Sequence, residues 1–278
     1  MGLLDSGDYD SAYALLEEIG DNETIASSKY DRAIKLIDSG DYESAYMFLK
    51  GIEYKDSNER LNEILEEHPD YKFKLAATGD IVAFGSYEQD NDASNGKEDI
   101  EWRVLSKEDN KILVISKYAL DCQQYNTEYK DITWENCSLR KWMNDTFLDA
   151  AFSAEEQAQI LDSNVSADKN PEYDTNPGNT TTDKVFLLSH NEAEKYFSSD
   201  GDRKCAPTAY AKAQGAYTSD SEETASGEAT CWWWLRSPGL YQYRAAIVFD
   251  VGSVYFDGNY VDTDKYCVRP ALWINLDF

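Results

Sequence analysis

The first seventy residues place apolar side chains three and four positions apart, which is the spacing of an amphipathic helix. The apolar residues form two stripes, Ala12, Leu15, Leu16 and Ile19, and Ala45, Phe48, Leu49 and Ile52. The pattern predicts four helices, at about residues 10–19, 23–37, 42–52 and 56–67. Since one apolar stripe has to be buried against another, this segment is predicted to be a small all-α unit.

An internal repeat runs through these helices. Residues 3–13 return as residues 36–46, at a constant offset of 33. A period near 34 residues is typical of helix–turn–helix repeats, and residues 1–67 resemble tetratricopeptide-like repeats. Ser-Gly-Asp marks each turn, where Gly suits the end of one helix and Asp caps the next. Because the first copy opens in the last turn of a repeat's first helix, we expect either an internal start at Met1 or a longer protein.

The pattern changes after His68-Pro69-Asp70, because proline disfavours helix in the residue before it. Residues 68–76 are predicted to be a linker, and residues 77–278 a second domain. That domain opens with strands predicted at 79–87, 100–105 and 111–117, of which 100–105 alternates apolar and polar residues. Three strands joined by short turns predict an antiparallel meander. The chain is therefore predicted to be α+β, with the helical segment first.

Helices and strands are mixed in the rest of the second domain. Helices are predicted at 136–148, 191–197 and 208–214, and Ser153 with Glu156 has the spacing of a capping box. Long polar loops are predicted at 168–183 and 217–229. The predicted strands are residues 184–188, 244–249, 254–260 and 267–274.

Two apolar blocks close the chain, at residues 231–239 and 268–274, and they flank a segment rich in Tyr, Asp, Asn, Ser and Gly. A guanidinium among apolar residues needs hydrogen-bond partners when it is buried. We therefore assign the prominent residues of the blocks to packing: Trp233, Trp234, Arg236 and Arg269. The polar-aromatic segment between the blocks is interpreted as a binding face.

Composition limits the partners. The net charge is −27, which argues against nucleic acid and anionic membrane surfaces, because both require Lys/Arg patches. No apolar run reaches the roughly 18 residues of a membrane span, and no signal peptide is present. We expect a cytoplasmic protein as the sequence is written, and a surface or exported protein if the N-terminus is truncated.

The sequence offers few groups for catalysis or metal binding. It has two His and five Cys, with no zinc-ligand spacing, no phosphate-binding glycine loop and no nucleophile elbow. We therefore predict no metal, no cofactor and no catalytic residue. Buried free thiols are expected, while disulfides Cys122–Cys137 or Cys231–Cys267 remain an alternative in an exported protein.

Several motifs resemble a bacterial domain family of unknown function that is similar in fold to C-type lectins and to the formylglycine-generating enzyme. The motifs are Gly79-Asp80-Ile81-Val82, Ile100-Glu101-Trp102, Leu139-Arg140-Lys141-Trp142, Trp233-Trp234-Leu235-Arg236-Ser237-Pro238-Gly239 and Val268-Arg269-Pro270-Ala271-Leu272. The resemblance covers about residues 77–278. It implies a C-type-lectin-like domain with small antiparallel sheets and short helices, whose final strands carry the ligand face.

Both relatives use residues that this chain lacks. Lectins hold calcium with Glu-Pro-Asn or Gln-Pro-Asp and with Trp-Asn-Asp, none of which occurs here. The formylglycine-generating enzyme uses closely spaced cysteines, whereas Cys231 and Cys267 are far apart in this sequence.

A third group with this fold, the variable proteins of diversity-generating retroelements, diversifies surface residues just before a final strand with an Arg motif. Its palette of Asn, Tyr, Asp and Ser recurs here, and tyrosine suits binding because it adds large amphipathic area at little rotamer entropy. The predicted ligand-binding residues are Tyr241, Tyr243, Phe249, Asp250, Ser253, Tyr255, Asp257, Asn259, Tyr260, Asp262 and Tyr266. An ordinary Tyr- and Asp-rich loop surface is the alternative.

The main hypothesis is a non-enzymatic protein that binds a protein or a glycan at this C-terminal face, with a further protein partner at the helical repeats. Two alternatives stay open. One is an oxidase similar to the formylglycine-generating enzyme that uses Cys231 or Cys267, and the other is a scaffold that acts through its repeats.

Overall fold

The computed structural model describes residues 9–277, except the side chain of Asp10. The chain divides into two compact units, Met1–Ala76 and Ala77–Phe278. Helices make up the first unit, while helices and small, mainly antiparallel sheets mix in the second, so the protein is α+β. Within residues 9–277 no helix combines the length and the hydropathy needed to cross a membrane.

The first unit holds five helices in the described residues: α1 (Tyr9–Glu18), α2 (Asn22–Ser39), α3 (Tyr42–Leu49), α4 (Ser57–Glu67) and α5 (Tyr71–Lys74). Asp21 and Asp41 cap α2 and α3, since their carboxylates accept backbone N–H groups three residues ahead. Helix α3 ends three residues before the predicted end, and Gly51, with φ +79°, follows it. Residues 3–8 of the first copy of the repeat lie outside the described residues.

The two apolar stripes of this unit are not buried to the same extent. Ala45 and Leu49 of α3 are buried in the core of the unit. In α1, Ala12 is buried, but Leu15 and Ile19 are 53% and 74% exposed. The described helices therefore cover only one side of α1 and leave these two residues of its stripe exposed.

The second unit begins with strands β1 (Ile81–Tyr87), β2 (Glu98–Glu108), β3 (Lys111–Ser116) and β4 (Asp121–Cys122). Its helices are α6 (Ser138–Trp142), α7 (Leu148–Ala151), α8 (Ala154–Gln159), α9 (His190–Tyr196), α10 (Asp200–Arg203) and α11 (Ala209–Ala213). Its other strands are β5 (Ser163–Val165), β6 (Thr181–Asp183), β7 (Val185–Phe186), β8 (Trp233–Pro238), β9 (Arg244–Val248), β10 (Val254–Tyr260), β11 (Cys267–Val268) and β12 (Ala271–Asn275).

The long helix predicted at 136–148 is interrupted. A 3₁₀ turn at Trp134–Asn136 precedes α6, and a π-helical turn at Met143–Phe147 separates α6 from α7. The capping box predicted at Ser153 is present, with the side chains of Ser153 and Glu156 bonding to each other's backbone N–H. Strand β6 lies at the end of the loop predicted at 168–183, and it pairs with β5, which precedes that loop.

Two five-stranded sheets form the body of the second unit. The first has the order β1-β2-β3-β12-β7 with antiparallel neighbours. The second has the order β10-β9-β8-β11-β4, in which only β8 and β11 run parallel. Strand β10 therefore lies at an edge, and β9 is buried from Ala245 to Val248.

The strand predicted at 267–274 is divided between the two sheets. Cys267–Val268 pairs in the second sheet and Ala271–Asn275 in the first. Pro270 has no N–H to donate to a ladder, so the strand breaks there. The carbonyl of Pro270 accepts the N–H of Ser116 at 2.9 Å, and this bond joins the crossing to β3.

Candidate binding face

Four tyrosine rings lie together beside the ends of β9 and β10, and we call them, with Arg244, the tyrosine patch. The ring centroid of Tyr243 lies 5.2 Å from Tyr241, 6.0 Å from Tyr260 and 5.1 Å from Tyr129. Tyr129 also contacts Tyr260, at 5.7 Å. Tyr129, Tyr241 and Tyr260 are 56%, 48% and 42% exposed, so the patch presents a continuous aromatic surface to solvent.

Arg244 supplies the positive charge of the patch. Its guanidinium carbon lies 4.6 Å from the ring centroid of Tyr260 and 5.8 Å from that of Tyr241. The Nε atom is buried and has no hydrogen-bond partner among the described residues. A guanidinium over aromatic rings is attracted by their negative faces, so Arg244 orders the rings around it.

Local backbone geometry brings these side chains together. Arg244 and Tyr260 are direct cross-strand partners. The preceding turn is closed by hydrogen bonds from the N–H of Gly239 to the carbonyl of Arg244 and from the N–H of Arg244 to the carbonyl of Tyr241. Gly258 has φ +61°, and a Cβ there would lie 2.1 Å from a carbonyl oxygen of β9. Only glycine therefore allows β10 to approach β9 this closely.

A second group of predicted residues lies on or next to the same two strands. Phe249 and Tyr255 are in ring contact at 4.7 Å, and both are half-buried. The carboxylate of Asp257 accepts the hydroxyls of Tyr255 at 3.3 Å and Tyr173 at 2.5 Å. The bond to Asp257 raises the pKa of Tyr173 to about 12. Tyr255 and Asp257 are thus partly engaged within the domain.

Four of the remaining predicted residues are half-buried near the same strands: Asp250, Ser253, Asn259 and Asp262. The carboxylate of Asp250 accepts a hydrogen bond from the hydroxyl of Tyr217 at 3.5 Å, and the backbone carbonyl of Asp262 accepts one from the side-chain amide of Gln124. Tyr266 differs from its prediction, because it is only 2% exposed. Its ring packs against Trp232 and Trp234 at 5.5 and 4.5 Å, so it supports the face without reaching a ligand.

Sequence reasoning missed two members of the patch, Tyr129 and Arg244. Tyr129 comes from a distant segment, which is held to the face by backbone bonds from Asn126 to Val261 and from Ile132 to Gln242. No local motif marks Tyr129. Arg244 was placed only in a strand, although a lone Arg beside several Tyr is a signal for cation–π contact.

The residues assigned to packing are all buried in the second unit: Trp233, Trp234, Arg236 and Arg269. The guanidinium of Arg236 donates to the carbonyls of Ser166 and Leu187 and pairs with the carboxylate of Glu192. Arg269 donates to the carbonyls of Ser116 and Arg203 at 3.0 and 3.1 Å. Both arginines therefore connect separate segments.

All five cysteines are free and buried. Cys231 and Cys267 are far apart in sequence, but the fold brings them near each other: the backbone N–H of Cys231 donates to the carbonyl of Cys205, and that of Cys267 to the carbonyl of Trp232, each at 2.8 Å. Burial raises the pKa of all three thiols. A protonated thiol is a poor nucleophile, so the surroundings of this group do not favour redox reactivity.

Only one group of possible metal ligands occurs in the described residues, namely Glu88, Asp90 and Glu98. The Glu98 carboxylate accepts the backbone N–H groups of Gln89 and Asp90, and Asp92 donates to Glu88 and Asp90. These hydrogen bonds show that the acidic side chains stabilise the conformation of the loop.

The fold and this face define an α+β domain with an aromatic, partly cationic surface beside an edge strand. The chain belongs to the family described as domain of unknown function (DUF6273), whose model matches residues 109–276. No curated protein matches the chain. No solved structure matches it either.

Proposed function

We propose that the protein is a non-enzymatic binding protein whose tyrosine patch binds a protein ligand. The observation that carries this proposal is the mutual contact of four tyrosine rings around Arg244, three of them 42–56% exposed. Exposed Tyr and Arg are enriched at the energetic centres of protein interfaces.

Ring geometry favours a protein ligand over a glycan. A sugar stacks on a free ring face, whereas the ring of Tyr243 already contacts three other tyrosines. What the patch offers is ring edges, hydroxyls and one guanidinium. This mixture suits a protein surface with both apolar and polar groups, as in antibody paratopes.

The finer proposal is that residues 77–278 form a C-type-lectin-like domain related to retroelement-diversified proteins. Strands β9 and β10 and their flanking turns hold the Tyr, Asp, Asn and Ser residues of the predicted face. Residues of those types can be exchanged at half-exposed positions of an edge strand without creating cavities in the hydrophobic core. Inspection of the flanking DNA for a reverse transcriptase and a near-copy of this segment tests the relationship.

The binding experiment compares three versions of the full chain on a protein array and a glycan array. The test variant is Tyr129→Ala/Tyr241→Ala/Tyr260→Ala, and the matched control changes the same residues to Phe, which keeps the rings. We expect protein binders whose affinity falls at least 100-fold in the Ala variant, since hot-spot residues contribute about 2 kcal/mol or more each. Circular dichroism confirms folding.

Undiminished binding by the Ala variant refutes the patch as the binding site. If the Ala variant loses binding only on the glycan array, the ligand of the patch is a glycan. A scaffold role of the repeats is favoured separately by the exposed side chains of Leu15 and Ile19. The variant Leu15→Ser/Ile19→Ser distinguishes the two sites, because it should lose the binding of a ligand of the helical unit and keep the binding of a ligand of the tyrosine patch.

A further inference from the structure

A pocket of about 260 Å³ in the second unit gathers basic side chains in a strongly acidic protein. Four cations from separate segments line it: Arg103 of β2, Lys117 after β3, Lys204 after α10 and Arg269 between β11 and β12. None of these residues belongs to the tyrosine patch. In a chain with a net charge of −27, such a gathering runs against the overall composition and requires a local reason.

Two of the four cations are neutralised within the protein. Lys117 pairs with Glu101, and Lys204 pairs with Glu222, each at 2.8 Å. Between residues 9 and 277, neither Arg103 nor Arg269 has a carboxylate oxygen within 4.0 Å. The two arginines are thus the cations of the pocket that lack an ion-pair partner.

These two arginines share an aromatic neighbour. The guanidinium carbons of Arg269 and Arg103 lie 5.4 and 5.6 Å from the centroid of the same ring, that of Phe197. Arg269 is 3% exposed, and it is fixed by Trp233 at 5.0 Å and by two carbonyls. Burial lowers the pKa of Arg269, and the positive charge of Arg103 acts in the same direction.

The two acidic residues that line the pocket, Asp202 and Glu228, accept hydrogen bonds from neighbouring hydroxyls. The carboxylate of Asp202 accepts the hydroxyls of Ser198 and Ser199, and that of Glu228 accepts the hydroxyl of Ser226. Thr224 and Ser226 add hydroxyl groups to the lining. The hydrogen bonds from Ser198 and Ser199 lower the pKa of the Asp202 carboxyl, and the positive charge of the nearby Arg103 helps to lower it. The buried charge of Arg269 is therefore the one that a bound anion stabilises most.

We propose that this pocket binds a small oxyanionic group, held between the guanidinium groups of Arg103 and Arg269. Planar guanidinium groups match the paired oxygens of phosphate, sulfate and carboxylate. The site is independent of the tyrosine patch, so each can fail without the other.

The test titrates the full chain with sodium phosphate, sodium sulfate or sodium citrate, with sodium chloride at matched ionic strength as the reference. Thermal unfolding and calorimetry are measured. We expect a saturable rise of the unfolding temperature with at least one oxyanion, because a ligand of the native state shifts the folding equilibrium. A response to phosphate and sulfate identifies a tetrahedral group, and a response to citrate alone identifies a carboxylate.

Variants locate the site. Arg103→Gln is expected to weaken the binding at least tenfold, Arg103→Lys to weaken it less, and the exposed control Lys212→Gln to leave it unchanged. If Arg103→Gln does not fold, Lys204→Gln replaces it as the test variant, and we expect it to weaken binding several-fold. The proposal is overturned if no oxyanion exceeds sodium chloride, or if pocket variants and the Lys212 control respond equally.

Discussion

Replacement of Arg236 by methionine tests whether the apolar block at residues 231–239 is scaffold. Arg236 is 2% exposed, and its guanidinium donates to carbonyls at 2.7 and 2.5 Å and to both carboxylate oxygens of Glu192 at 2.5 and 2.9 Å. These bonds tie β8 to α9 and to the segments that hold Ser166 and Leu187. Methionine keeps much of the volume but removes all four bonds.

The expected loss of unfolding free energy is about 3–5 kcal/mol, the range for breaking a buried ion pair by removing one partner. Summing charged hydrogen bonds at roughly 1.5–3 kcal/mol each would give more. That sum is too large, because the Glu192 side chain is 27% exposed and water can solvate it once the pair is broken.

Urea unfolding followed by tryptophan fluorescence measures this loss. All seven tryptophans lie in residues 77–278, so the signal reports the second unit without interference from the helical unit. Arg236→Lys is the matched control, and we expect it to lose about half as much because lysine cannot form the two-pronged bond. A loss below about 1 kcal/mol for Arg236→Met would refute a structural role.

Three further predictions use the same unfolding assay or a thiol titration. Ser153→Ala should cost about 1 kcal/mol through loss of the helix cap, and an unchanged midpoint would contradict the cap. Gly258→Ala should cost about 2–4 kcal/mol, because its backbone has a positive φ and the added Cβ overlaps β9. The control Gly227→Ala, also at positive φ but in open space, should cost only about 1 kcal/mol. Equal losses in the two variants would refute the close approach of β10 to β9. Burial raises the pKa of Cys122 and Cys137 to about 12, so roughly 10⁻⁴ of each is thiolate at pH 8. A thiol reagent should therefore react with the five cysteines only when the protein unfolds. Fast reaction of Cys122 and Cys137 in the native protein would contradict their burial.

Local elements could be predicted because their determinants are near in sequence. Ser153 and Glu156 form the predicted capping box, since both partners sit within one helical turn. The apolar run at 112–115 gives strand β3, because a short continuous apolar run is typical of a strand that is buried on both faces. Asp41 caps the next helix from the Ser-Gly-Asp turn, also within three residues.

Long-range relations could not be predicted in this way. The split of residues 267–274 between two sheets depends on which strands lie beside each half, although Pro270 marks the break. The sequence separation of Cys231 and Cys267 gave no sign that the backbone of Cys267 bonds to Trp232, the residue next to Cys231. Likewise the burial of Tyr266 between two tryptophans does not follow from its polar neighbours.

The sequence by itself determined the two-part organisation of helices followed by α+β, the caps and turns, and the polar-aromatic character of the C-terminal segment. These depend on propensity and periodicity over a few residues. Only the tertiary structure brought Tyr129 to Tyr243, and Arg103 to Arg269. Electrostatic and ring contacts act over a few ångströms in space, and the chain sets those distances only when it has packed.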